Sequence, residues 1–196
     1  AFVIADYMRF GRLPMSVVKE EQYVALQQLT RARYQIVQQI TQEKQRFLQY
    51  LSYKCNTFTE DVESSVFGKA MMDLFLESYS LEELSQMPLE DLANYLRVKG
   101  RNRFPDVKQV AKSIQKAARS SYRLDKVVED SIDAILGTSI TLIRTFEKQI
   151  KDLDNSIERI MKGVPQTLQT IPGVGPVFTA GIIAEIGQVE RFANEA

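Results

Sequence analysis

Two long amphipathic stretches, residues 16–54 and 124–162, constrain this chain more than any other feature of its sequence. In the first, Leu26, Leu29, Ile36, Ile40, Phe47 and Tyr50 recur at three- and four-residue steps, interrupted by Arg33 and Glu43. In the second, Val128, Ile132, Ile135, Leu142, Phe146, Ile150, Leu153, Ile157 and Ile160 trace a similar line until Gly163 and Pro165 end it. Apolar residues at that period fall on one side of a helix. Nine glutamines from Gln22 to Gln49 solvate the rest of the first stretch. A narrow apolar seam on a solvated helix is the pattern of a coiled coil, with a single helix lying on a domain as the alternative. Ser16 is the expected cap of the first helix, with Lys19 rather than Glu at the capping-box position. The fold predicted is all-α: two long antiparallel helices flanking a small helical insert at about 56–123. A seam still apolar after the two helices pair would recruit a second copy, so a homodimer or higher oligomer is expected.

Charge separates sharply inside the insert. Residues 60–91 hold nine acids and one base, and residues 97–123 hold nine bases and one acid, within a chain carrying 25 of each sign. Fields act over about 10 Å at ordinary ionic strength, so a net charge of zero does not exclude a nucleic-acid partner. Residues 56–65 read as a loop and 66–79 as a short helix. Ser80-Leu81-Glu82-Glu83 opens another helix as a capping box, and Met87-Pro88 begins a third that runs to Gly100. Leu81, Leu84, Leu89, Leu92, Tyr95 and Leu96 form the expected small cluster beneath an acidic exterior.

The basic section comprises Arg97, Lys99, Arg101, Arg103, Lys108, Lys112, Lys116, Arg119 and Arg123. Pro105 is expected to start a helix on which the last five form one cationic stripe, opposite Val107, Val110, Ala111, Ile114 and Ala118. A solvated helix face ordinarily mixes signs, and this one does not. Contact with nucleic-acid backbone is the functional reading, and docking of the acidic 60–91 segment is the alternative. Tyr95, Phe104 and Tyr122 have the rings to stack on unpaired bases, although core packing is expected for at least two of them.

Residues 168–192, LQTIPGVGPVFTAGIIAEIGQVERF, contain a short helical turn, a tight bend and an apolar helix. Two glycines one residue apart permit positive φ and close approach by another molecule. Pro176 suits the first turn of the following helix, whose unpaired N–H groups would face a phosphate. Gly173, Val174 and Gly175 are therefore candidate backbone contacts of the helix-hairpin-helix kind. An ordinary reversal between packed helices is the alternative. No Lys or Arg lies between Lys162 and Arg191 to help hold an anion.

The absence of His and the single Cys55 exclude most zinc sites and any internal disulfide framework. A lone Cys suits a reducing cytoplasm, and no apolar run reaches membrane-spanning length, so no membrane partner is expected. Residues 1–10 are apolar nearly all round and lack a starting Met, as expected for a fragment whose first helix is buried against something else.

The bend at 168–192 resembles the opening of the C-terminal transposase domain of the DEDD-type insertion-sequence transposases, a family that includes bridge-RNA-guided recombinases. Residues 1–14, AFVIADYMRFGRLP, are similar to the segment closing that family's N-terminal RuvC-like nuclease domain. The resemblance implies three parts: the tail of the RuvC-like domain at 1–14, a coiled-coil region at 15–163, and the start of the transposase domain at 164–196. It implies DNA strand exchange by the parent enzyme, DNA as partner, a guide RNA in some members, and Mg²⁺ at the parent nuclease site. In the family the last catalytic acids end in an Asp followed by Ala. If Ala1 is that alanine, all four metal-binding acids fall outside this sequence, and Asp6 inherits no role. No segment matches the family's catalytic serine motif, so Ser120, Ser121, Ser131, Ser139 and Ser156 inherit none either. No catalytic residue and no cofactor are expected in this piece. Two other classes remain open: a helical dimerisation adaptor, and a helix-hairpin-helix DNA-repair subunit, though such subunits commonly carry paired hairpins.

Overall fold

A computed structural model of the chain describes residues 2–11 and 20–188. Among them are nine α-helices and no strand, so the fold is all-α. The helices are α1 (Phe2–Arg9), α2 (Glu21–Lys54), α3 (Phe58–Asp61), α4 (Lys69–Leu76), α5 (Leu81–Gln86), α6 (Leu89–Lys99), α7 (Val107–Ser120), α8 (Lys126–Met161) and α9 (Pro176–Ile186). A 3₁₀ turn at Leu168–Thr170 precedes α9. The cap expected at Ser16, its companion Lys19, and Pro14 lie outside the described residues. The chain forms two compact units, Gln35–Ile150 and the combination of Ala1–Tyr34 with Lys151–Ala196.

In the unit Gln35–Ile150, polar pairs show that α2 and α8 run antiparallel. Glu43 accepts from the Ser139 hydroxyl, Lys44 lies 3.7 Å from Glu147, and Lys54 pairs with Asp133. Glu43, which breaks the apolar seam in sequence, is thus answered by a partner across the helix pair. Phe47 and Leu51 of α2 are buried with Leu136, Ile140 and Ile143 of α8. This line differs from the one expected on α8: Leu136, Ile140 and Ile143 form it, while Val128 is exposed and Ile135 and Leu142 are only partly covered. The reason is that α8 is apolar on more than one side between Ile132 and Ile143, and its register is chosen by what packs on it.

The insert folds onto this pair as α3 to α7. Ser80 caps α5 with the expected reciprocal box: its hydroxyl accepts from the Glu83 N–H at 3.1 Å, and its own N–H donates to Glu83 at 2.8 Å. Two expectations need correction. Residues 56–65 are not all loop, because Phe58 and Val62, four apart, are both buried and fold the segment into α3. The seventh helix starts at Val107 rather than Pro105, because the Asp106 carboxylate accepts from the Gln109 N–H at 2.9 Å and caps it. The ring of Phe75 meets those of Phe47 and Phe58 edge-on, with centroids 5.6 and 5.1 Å apart.

In the other unit, Leu26 of α2 is buried with Ile157 and Met161 of α8, Val164, and Ala180, Ile183 and Ala184 of α9. Arg33, the other polar break in the α2 seam, pairs with Asp154 of α8. Arg31 grips Glu185 of α9 at 2.9 and 3.0 Å, and Gln27 donates to the same carboxylate at 2.7 Å. Helix α1 has no buried residue, and Phe2, Ile4 and Tyr7 are exposed. Val24, Tyr34 and Tyr53 on α2 and Val127 and Val128 on α8 are the large apolar residues left exposed on the long helices. Apart from the adjacent Val127 and Val128 they are far apart in sequence, and isolated exposed apolar residues are ordinary for a protein surface.

Candidate nucleic-acid interface

The basic section begins on the last turn of α6 and continues through α7. Helix α7 buries Ala111, Ile114 and Ala118, with Val107 and Val110 half-buried, and this apolar side turns Lys108, Lys112, Lys116 and Arg119 outward. Four of the five cations expected on this helix thus share its outer side, while Arg123 falls beyond its end, because α7 stops at Ser120 with Ser121 as its cap. Much of the basic section is not free. Lys108 lies 2.7 Å from Glu90, Lys116 2.6 Å from Asp61, Lys99 3.5 Å from Glu77 and Arg123 3.3 Å from Glu82. All four carboxylates belong to the acidic 60–91 segment, so the two halves of the insert meet through their opposite charge. Arg119 donates to the Ser85 carbonyl at 3.1 Å. The Lys116 hydrogen bond holds Asp61 below the usual carboxylate range, and Lys108 does the same to Glu90. The pairs of Lys108, Lys99 and Arg123 are exposed on both sides, weak, and exchange readily in water, whereas the Asp61 carboxylate held by Lys116 is only 12% exposed.

Arg97, Arg101, Arg103 and Lys112 are exposed and make no ion pair among the described residues. Of the three aromatic rings, Tyr95 and Phe104 pack against the core and Tyr122 stands exposed. Burial, reinforced by Glu77, pushes the Tyr95 hydroxyl far above its ordinary range, so it stays a neutral donor.

Where α6 ends, the chain departs from the expected glycine stop. Gly100 keeps a right-handed φ of −80°, and it is Arg101 and Asn102 that take left-handed φ values of 52° and 56°. The Asn102 N–H donates to the Arg97 carbonyl at 3.1 Å and the Arg101 N–H to Val98 at 3.2 Å. That is a Schellman ending with arginine at the position glycine usually takes. The turn presents Arg101 and Arg103 to a cleft of about 370 Å³ whose far wall includes Ser64, Ser65 and Lys69 beside the start of α4. Sequence reasoning passed over Lys69, the single base within an acidic run, because only the fold brings it beside residues thirty positions later.

The hairpin at 171–176 lies in the other unit. The Val174 N–H donates to the Ile171 carbonyl at 3.1 Å with Gly173 at φ 87°, a type II turn with Pro172 and Gly173 at its centre. Gly175 precedes α9 and Pro176 opens it, as the sequence implied. The helix before the hairpin is reduced to the 3₁₀ turn at Leu168–Thr170. A Cβ on either Gly173 or Gly175 would meet nothing within 4 Å, and Gly173 is exposed while Val174 and Gly175 are half-buried. Phe178 beside it is exposed.

Among the described residues no group of three or more His, Cys, Asp or Glu is placed to hold a metal ion, so they do not fit the Mg²⁺ centre implied for the parent nuclease. No helix among them is long and apolar enough to cross a membrane. A family model described as "Transposase", of the DEDD IS110 type, matches residues 1–55, and one described as "Transposase IS116/IS110/IS902 family" matches residues 165–196. The first runs on through α2, well past residues 1–14, and residues 56–164 are covered by neither. No curated protein and no solved structure matches the chain.

Proposed function

We propose, from two family matches that support an IS110-type transposase of an insertion sequence, that this chain holds DNA by its sugar-phosphate backbone while strand exchange is carried out by residues elsewhere. The observation that carries the reading is the cationic face of the insert, where Arg97, Arg101, Arg103 and Lys112 stand exposed without an ion pair among the described residues. Lys99, Lys108, Lys116, Arg119 and Arg123 form a second rank, available to phosphate by exchange with their present partners. The bend adds the backbone N–H groups of Gly173 and Gly175 as donors in the other unit, the Val174 N–H being held by the Ile171 carbonyl. Such contacts position a duplex without reading its sequence.

Fluorescence anisotropy with a 30-base-pair duplex tests this directly. Each neutralised phosphate contributes about −0.9 to the slope of log K against log salt, so four contacts give a slope near −3.6. Binding that is absent or independent of salt would leave the helical adaptor as the better reading. Running a structured RNA beside the duplex at two salt concentrations decides whether a guide RNA uses the same face. Self-association, which needs an apolar seam that outlives the pairing of α2 and α8, is measured by light scattering at micromolar concentration. The chain by itself is proposed to be catalytically silent. Supercoiled plasmid incubated with it and magnesium should remain unnicked.

A further inference from the structure

We infer that the cleft between the end of α6 and the start of α4 is a built seat for a single phosphate group, supplied by the backbone of bound DNA. Its walls bring together Lys69, Lys99, Arg101 and Arg103 with Ser64 and Ser65, and no Asp or Glu lines it. Lys69, Arg101 and Arg103 make no ion pair among the described residues, and only Lys99 is engaged, 3.5 Å from Glu77. Four cations around one concavity repel one another unless an anion sits among them. The volume of about 370 Å³ falls at the small end of ligand sites, enough for a phosphate with part of a flanking sugar. Two guanidinium groups offer forked donors suited to phosphate oxygens, the serine hydroxyls offer further donors, and the first turn of α4 adds its unpaired N–H groups.

The backbone argues in the same direction. Arg101 occupies a left-handed position that glycine fills at lower conformational cost, directly after a glycine that does not use that freedom. Gly100 is instead required by the ring of Phe104, which lies against its backbone and holds the turn in place. The chain therefore keeps an arginine where local conformation favours glycine, and that arginine lines the cleft. The seat rests on the DNA-binding reading for what carries the phosphate, and on its own geometry for the phosphate itself.

The test uses the full chain and two probes: the labelled 30-base-pair duplex read by anisotropy at 50, 100 and 200 mM salt, and inorganic pyrophosphate read by thermal shift. Lys69→Gln and Arg103→Gln should each weaken duplex binding about three- to tenfold and flatten the salt slope by about 0.9. Arg101→Gly should do the same while melting at or above the parent temperature, which separates lost contact from lost fold. Lys126→Gln, an exposed cation away from the cleft, should change neither. Duplex binding of normal strength and slope in all three cleft variants would overturn the seat and leave the DNA-binding reading intact. A parent chain that ignores duplex yet is stabilised by pyrophosphate, with the effect lost in the cleft variants, would uphold the seat and overturn the DNA-binding reading. Failure with both probes would overturn both.

Discussion

The ring of Phe104 lies so close to the backbone of Gly100 that a Cβ at that position would stand 2.5 Å from Cε2 and 2.7 Å from the Leu96 carbonyl oxygen. Gly100→Ala must therefore displace the ring or the end of α6. Overpacking of this kind costs about 1–3 kcal/mol, and urea denaturation should show that loss at an unchanged m-value.

Arg101, one residue on, should respond in the opposite sense. Replacing a left-handed arginine by glycine removes the Cβ clash, partly offset by the freer unfolded chain, for a net gain of about 0.5–1 kcal/mol. A raised Tm in Arg101→Gly, beside a lowered one in Gly100→Ala, would establish which residue the turn needs as glycine. A lower Tm in Arg101→Gly would mean that its side chain holds the fold.

Lys54 and Asp133 make a buried ion pair between α2 and α8 in the Gln35–Ile150 unit, with side chains only 4% and 10% exposed, and Lys54 also donates to the Tyr79 carbonyl at 2.8 Å. Removing one partner leaves the other charge in the core. Asp133→Ala should cost about 3–5 kcal/mol, and the double replacement Lys54→Met with Asp133→Leu should recover most of it. A double-mutant cycle in denaturant measures the coupling.

Asp61→Asn together with Glu90→Gln should strengthen duplex binding rather than weaken it. The pair of changes releases Lys116 and Lys108 from their carboxylates and makes the salt slope steeper by up to about 1.8. Binding that falls or stays level would mean that these two lysines serve only to dock the acidic segment.

Acid should loosen the insert. Lys116 lowers Asp61 from its ordinary 3.8, the Ser80 N–H lowers Glu83 from 4.5, and Lys108 lowers Glu90 from 4.5. A depressed folded value means the stabilisation is complete above the ordinary value and disappears as pH falls through the lower one. Melting temperature should thus be insensitive to these groups above about pH 5 and decline below about pH 4. Asp61→Asn should flatten part of that decline.

Much of the architecture follows from local rules that need no tertiary partner. The period of apolar residues specifies α2 and α8, the Ser80–Glu83 box specifies α5, and Pro176 specifies the start of α9. The separation of acids from bases in the insert is likewise legible, as is the outward cationic side of α7. These features depend on neighbours three or four residues apart, and such neighbours are visible in a string of letters.

What the string left open was decided by packing between distant segments. On α8, apolar residues lie on more than one side, and only the insert and α2 together select Leu136, Ile140 and Ile143 for burial. Phe58 makes a helix of an apparent loop because a core is there to receive it. Most of all, the fate of each cation depends on distance in space. Lys108 and Lys116 are drawn to carboxylates, while Lys69, Arg101 and Arg103 line a concavity with none. Charge acts through space with a reach of several ångströms and takes no account of sequence separation, so which cations stay available is a property of the folded chain alone.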